Sequence, residues 1–134
     1  MIRAVIIFGL LSTFASCSSQ KQIKSYTKNE LVRVIIHDFN KPLPFCGFIN
    51  TKSIYRAEIK DYNRKRYGNE ILLYAICKAD NFKKNIDDKE EVYIEIYPNT
   101  SDDKNVTVFN FSGYSKEELK NKKEYQIISI NNNK

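Results

Sequence analysis

Six short segments with strand patterning, set apart by chain breakers at regular intervals, constrain this chain more than any other feature. Val92–Tyr97 is the cleanest. Val92, Ile94 and Ile96 alternate with Tyr93, Glu95 and Tyr97, a period of two that turns one set toward a core and the other toward solvent. Ile54–Lys60 alternates the same way, with Tyr55, Ala57 and Ile59 opposed to Arg56, Glu58 and Lys60, and predicts a half-buried antiparallel strand. Leu31–His37 is β-branched and nearly all apolar, interrupted by Arg33, and predicts a buried strand; Ile71–Cys77 is apolar on both faces and predicts a central one. Val106–Phe111 and Tyr125–Ile130 complete the set. The breakers are Asn40-Lys41-Pro42-Leu43-Pro44, the charged turn Tyr62–Asn69, the charged connection Lys83–Glu91, Pro98-Asn99 and the polar turn Ser101–Asn105. One helix signal interrupts them. Ser115-Lys116-Glu117-Glu118 is a capping box with Tyr114 and Leu119 at the hydrophobic-staple positions, which predicts about two turns over Lys116–Lys122.

These elements define an all-β fold. Strands of this number and length close more readily than they pair into two sheets. The expectation is a small antiparallel barrel of five to six strands that resembles the OB-fold, with one short helix near the C-terminus. The resemblance departs from that fold in one respect: its helix usually lies between the third and fourth strands, whereas the helix signal here precedes the last. An immunoglobulin-like β-sandwich is the alternative.

The N-terminus is of another kind. Met1-Ile2-Arg3 carries one charge, Ala4–Leu11 is apolar apart from Gly9, and Ser12, Thr13 and Ser16 form a small polar stretch. Eight residues fall far short of the roughly 20 that cross a bilayer as a helix. The segment therefore reads as a signal peptide over 1–16. Phe14-Ala15-Ser16-Cys17 resembles the lipobox of bacterial lipoproteins, fitting at three positions and departing at the first, where Leu is usual. The resemblance covers 17 residues and implies a diacylglycerol thioether and an acylated amino group on Cys17. One chain alone gives only marginal membrane binding, at ~0.8 kcal/mol per buried methylene, so two or three chains on one residue are needed for stable attachment. Ser18 after the cysteine resembles an outer-membrane sorting signal, and no acidic surface-export run follows. The implied location is the bacterial outer membrane, facing the periplasm. Residues 17–29 read as lipidated Cys and polar tether, and 30–134 as one β-rich domain.

The leader carries a single charge, Arg3. The remainder thus has 21 basic and 16 acidic side chains, a net +5 against +6 for the whole chain. That balance permits contact with anionic lipid or glycan phosphates without demanding it. Nucleic acid is excluded as a partner for a protein held outside the cytoplasm. Cys46 and Cys77 remain after Cys17. Outside the cytoplasm they can form a bridge, worth ~3–4 kcal/mol for a loop of about 30 residues, or stand as two buried thiols. A simple hairpin centred near Arg66 sets Cys77 opposite Thr51–Tyr55, several residues from Cys46, unless Pro42–Gly47 folds back.

Catalytic signatures are missing. His37, the one histidine, adjoins Asp38 on a strand, where neighbours face opposite ways. No Gly-flanked nucleophile, zinc spacing, calcium-loop ladder or phosphate-binding glycine loop occurs, so no catalytic residue, metal or cofactor is assigned. Two surfaces stand out. Arg64-Lys65-Arg66, flanked by Tyr62 and Tyr67, is a candidate anion-binding tip that also suits a solubilising turn. Tyr93 and Tyr97 form a candidate stacking surface for sugar rings, or cross-strand packing. The reading is a lipid-anchored, non-enzymatic envelope module that binds an envelope protein or glycan. The alternative is a periplasmic inhibitor or immunity-type protein against a hydrolase or toxin, although a cationic glycan hydrolase would be repelled by this charge.

Overall fold

A computed structural model describes residues 28–82, 84–98 and 105–131. The predicted leader, Cys17 and the tether up to residue 27 lie outside the described residues, as do residues 99–104 of the turn before the fifth strand. Nine elements follow in order: β1 Glu30–Ile36, β2 Asn50–Ile59, α1 Arg64–Tyr67, β3 Glu70–Ile76, α2 Lys78–Asn81, β4 Val92–Tyr97, β5 Val106–Asn110, α3 Lys116–Lys120 and β6 Glu124–Asn131.

The strands make one six-stranded sheet in the order β1-β4-β6-β3-β2-β5, and a further β1–β2 pairing closes a ring of hydrogen bonds through the first five. β5 lies outside that ring, against β2. The fold is mostly β, as expected, but the wholly antiparallel, OB-like arrangement is corrected: β2–β5 and β3–β6 are parallel pairs, so the sheet is mixed. Both parallel pairs follow from connections that carry β5 and β6 past their sequence neighbours. The helix prediction is also corrected in number. α3 forms behind its capping box, with Ser115 Oγ accepting from Glu118 N at 3.2 Å and Glu118 Oε2 from Ser115 N at 2.7 Å. Two single-turn helices, α1 and α2, add to it.

Alternation holds where one face meets solvent. β4 buries Val92, Ile94 and Ile96 and leaves Tyr93, Glu95 and Tyr97 half-exposed. β2 keeps the expected alternation from Tyr55 to Ile59, but it starts earlier, at Asn50, and is buried on both faces from Thr51 to Tyr55. The reason is a second layer. Ile54, Leu72 and Tyr74 form a small outer cluster, and the staple residues Tyr114 and Leu119 of α3 pack on it. The main cluster inside the ring includes Val32, Val34, Ile36, Tyr55, Ile59, Leu73, Ile94 and Ile96, with Phe39 and Ile86 reaching in from loops.

The β2–β3 register pairs Lys52 with Ile76, centring the hairpin on Arg64 and setting Cys77 opposite Thr51, with Cys77 N bonded to Thr51 O at 2.8 Å. The hairpin tip is α1, closed by Gly68 at φ 86°, ψ −170°, a conformation open essentially to glycine alone.

Candidate functional site

Two ends of the β2–β3 hairpin carry different chemistry. At its open end the segment from Pro42 folds back and joins Cys46 to Cys77 in a disulfide, Cα–Cα 5.5 Å, within the usual span of such bridges. Cys46 N donates to Asp80 Oδ2 at 3.0 Å, and Thr51 N donates to Cys46 Sγ at 3.2 Å. Cys77 takes a left-handed conformation, φ 47°, to start α2. Between these fixed points a finger projects. Phe45 is 70 % exposed, Ile49 58 %, and Phe48 fully so. Cys46, Cys77 and Asp80 lie within 4.8 Å of one another, the spacing of a metal site. The sulfurs are bonded to each other, which removes the thiolates a metal would need.

Lys78 follows the bridge and is buried. Its ammonium lies over the Phe39 ring at 4.6 Å, donates to Phe39 O, and reaches Lys41 O at 3.4 Å. Burial pushes its pKa below the ordinary lysine value. The group anchors the loop that leads into the finger.

At the closed end sits the predicted basic tip. Its three cations are not equally available. Arg64 Nε donates to Ile59 O at 2.6 Å, and Arg66 pairs with Glu30 and lies 5.3 Å from the Tyr67 ring. Lys65 is exposed. Tyr67 also donates to Glu30; burial and that carboxylate raise its pKa well above the ordinary value. Tyr67 opens onto a cleft of about 190 Å³ that Glu70, Ile71, Leu72, Tyr114, Lys122, Lys123 and Tyr125 also line. Tyr67 and Tyr125 meet edge-on at 5.2 Å. Lys122 lies 4.3 Å over Tyr114, and Lys123 5.2 Å over Tyr125. Tyr114 donates to Glu70, which raises its pKa, and Arg56 holds Glu70 at 3.7 Å. The cleft is smaller than the ~300–1,000 Å³ of sites that enclose organic ligands, so it suits a phosphate-sized group rather than a cofactor.

Tyr93 and Tyr97 do share the outer face of β4. Glu95 between them is held on both sides, by Asn29 Nδ2 at 2.8 Å and Ser129 Oγ at 3.1 Å. His37 is not partnered with Asp38. Its Nε2 lies 3.0 Å from Glu58 Oε1, and Lys60 Nζ lies 2.7 Å from Glu58 Oε2. Those two hydrogen bonds, Lys60's first, hold the Glu58 carboxyl below its ordinary pKa. The trio lies on the surface and lines none of the described clefts.

Sequence reading missed the finger and the Lys122–Lys123 cleft. Phe45, Phe48 and Ile49 sit among prolines and glycine and read as loop filler. Lys122 and Lys123 meet Tyr67 only through the β3–β6 pairing. No protein-family model, curated protein or solved structure matches this chain.

Proposed function

We propose that this chain is a lipid-anchored, non-enzymatic module of the bacterial envelope that binds a protein partner through the Phe45–Ile49 finger. Cys17 supplies the anchor, and the ring of strands acts as a small closed barrel presenting the finger. One observation carries the reading: three large apolar side chains stand in water on a loop that a disulfide and the Asp80 carboxylate brace. Isolated exposed apolar residues are ordinary, but a braced cluster marks an interaction surface. Burying each of the three would contribute ~1.5–3 kcal/mol. The bridge limits the ordering cost, since the loop is already fixed.

The same brace supports the inhibitor reading, because a rigid loop that enters a hydrolase cleft profits from that preorganisation. One experiment separates the two. Phe45→Ser/Phe48→Ser is compared with the parent for capture of cross-linked envelope proteins and for inhibition of periplasmic hydrolases. Loss of capture alone supports the envelope module, and loss of inhibition alone supports the inhibitor. Unchanged behaviour in both removes the finger from the reading.

A further inference from the structure

The end opposite the finger is where the chain leaves for Cys17. β1 begins at Glu30, whose carboxylate takes Arg66 and Tyr67. Asn63 Nδ2 donates to Leu31 O at 3.3 Å, so the first residues of β1 lie against the hairpin tip. Tyr62, 82 % exposed, and Leu31, 56 % exposed, flank that junction. Beside them, through Tyr67 and Tyr125, comes the cleft with Lys122 and Lys123. Both lysines are exposed and rest on tyrosine rings; among the described residues neither forms a salt bridge, although the Glu118 carboxylate acts on Lys122. The nearby acids are held by other groups, Glu30 by Arg66 and Tyr67, Glu70 by Arg56 and Tyr114, and Glu118 by Ser115 N.

We infer that this lysine–tyrosine end rests on the anionic phospholipid headgroups of the membrane that holds Cys17, and that the finger is thereby turned to the aqueous side. The inference rests on the lipid-anchor reading and adds an orientation to it. Charge complementarity and the exit point of the chain select the same surface. Tyrosine suits the headgroup level, where one edge is apolar and the other wet. Lys65, Lys122 and Lys123 each favour contact with an anionic surface by roughly fivefold, together on the order of a hundredfold. That is too little to recruit a protein from solution and ample to orient one already tethered. The finger lies at the other end of β2, whose ten residues extend about 33 Å.

The chain contains no tryptophan, so a single one reports without background. Full-length, acylated Tyr62→Trp and Phe48→Trp proteins are placed on phosphatidylcholine vesicles with and without phosphatidylglycerol, using brominated acyl chains as quenchers. Tyr62→Trp is expected to shift blue and be quenched only when phosphatidylglycerol is present, with the effect lost at high salt. Phe48→Trp is expected to remain water-like. Adding Lys122→Glu and Lys123→Glu to the Tyr62→Trp protein should cut the ratio of docked to undocked protein by a hundredfold or more. Water-like emission from Tyr62→Trp on both vesicle types overturns the inference. Quenching of Phe48→Trp instead overturns it too, and transfers membrane contact to the finger. Mass spectrometry of the same preparations reports the acyl groups on Cys17. If they are missing, the anchor reading fails by itself; the same tryptophan proteins are then coupled through the free Cys17 thiol to a maleimide lipid in these vesicles, and Tyr62→Trp emission with and without the Lys122 and Lys123 reversals decides the docking surface.

Discussion

Two buried groups set the energetics at the scale of single residues. Lys52 is 2 % exposed on β2, with its ammonium 2.6 Å from Glu124 Oε2 and 4.9 Å from the Tyr74 ring. Removing Glu124 strips a carboxylate from a buried ammonium, which costs more than replacing both groups by apolar ones. Glu124→Gln should lower stability by about 3 kcal/mol, and Lys52→Met with Glu124→Leu should stay within about 1 kcal/mol of the parent; urea unfolding of the three proteins checks both. Tyr55 is the second case. Its ring packs between Phe39 at 5.0 Å and Phe111 at 5.6 Å, while its hydroxyl is buried and has no hydrogen-bond partner among the described residues. Burial pushes its pKa up to about 12, and the nearby Ser53 hydroxyl, already given to Ala75 O at 3.3 Å, pulls back only slightly. A raised pKa means stability that is complete below pH 10 and is lost as pH climbs from 10 through about 12. Tyr55→Phe should therefore gain about 1 kcal/mol at neutral pH and flatten the alkaline fall in melting temperature. A loss of stability at neutral pH would show that the hydroxyl has a partner after all.

The individual elements differ in how much of them their own residues dictate. β4 was legible because only one of its faces is covered, so its pattern of Val92, Ile94 and Ile96 is the burial pattern. α3 was legible because a capping box is local. β2 was legible from Tyr55 to Ile59 but not in its first half, where the outer face lies under the cluster that Tyr114 and Leu119 cover from about 60 residues downstream. Lys52 and Lys78 were unreadable for a related reason: a lysine in a pattern reads as surface, and only the fold supplies Glu124 or the carbonyls of Phe39 and Lys41. α2 has no signal at all, since it depends on the left-handed turn at Cys77. Of the candidate surfaces, the basic tip was visible as a run, whereas its neutralisation by Glu30 and the cleft beside it are products of pairing. The finger depends on the bridge. Cys46→Ser should cost about 3–4 kcal/mol, a loop of 31 residues being released, and should make the bond between Phe45 and Cys46 newly sensitive to chymotrypsin. Unchanged melting and proteolysis would remove the bridge as the brace.

On the scale of the whole molecule, the arrangement of the sheet decides how stability is shared. The ring joins β1 to both β2 and β4, so its core has no separable half. Most pairings link residues far apart in sequence, a topology that folds in milliseconds to seconds rather than microseconds. β5 stands outside the ring: among the described residues it pairs with β2 alone, and Thr107 and Val108 on it are exposed. Val108→Lys is expected to leave melting within about 0.5 kcal/mol while reducing self-association at high concentration, because a charge on an open edge discourages strand addition. Light scattering tests this, and a large stability loss would place Val108 in the core.

β6, the last strand made, is inserted between β4 and β3 rather than added at a margin. A ribosome still holding residues 124–131 therefore holds a chain whose ring cannot shut, because the middle plank is not yet available. Such a chain stays open until residues 124–131 are delivered, then locks as one piece. Strand placement alone sets the order in which synthesis and closure can happen.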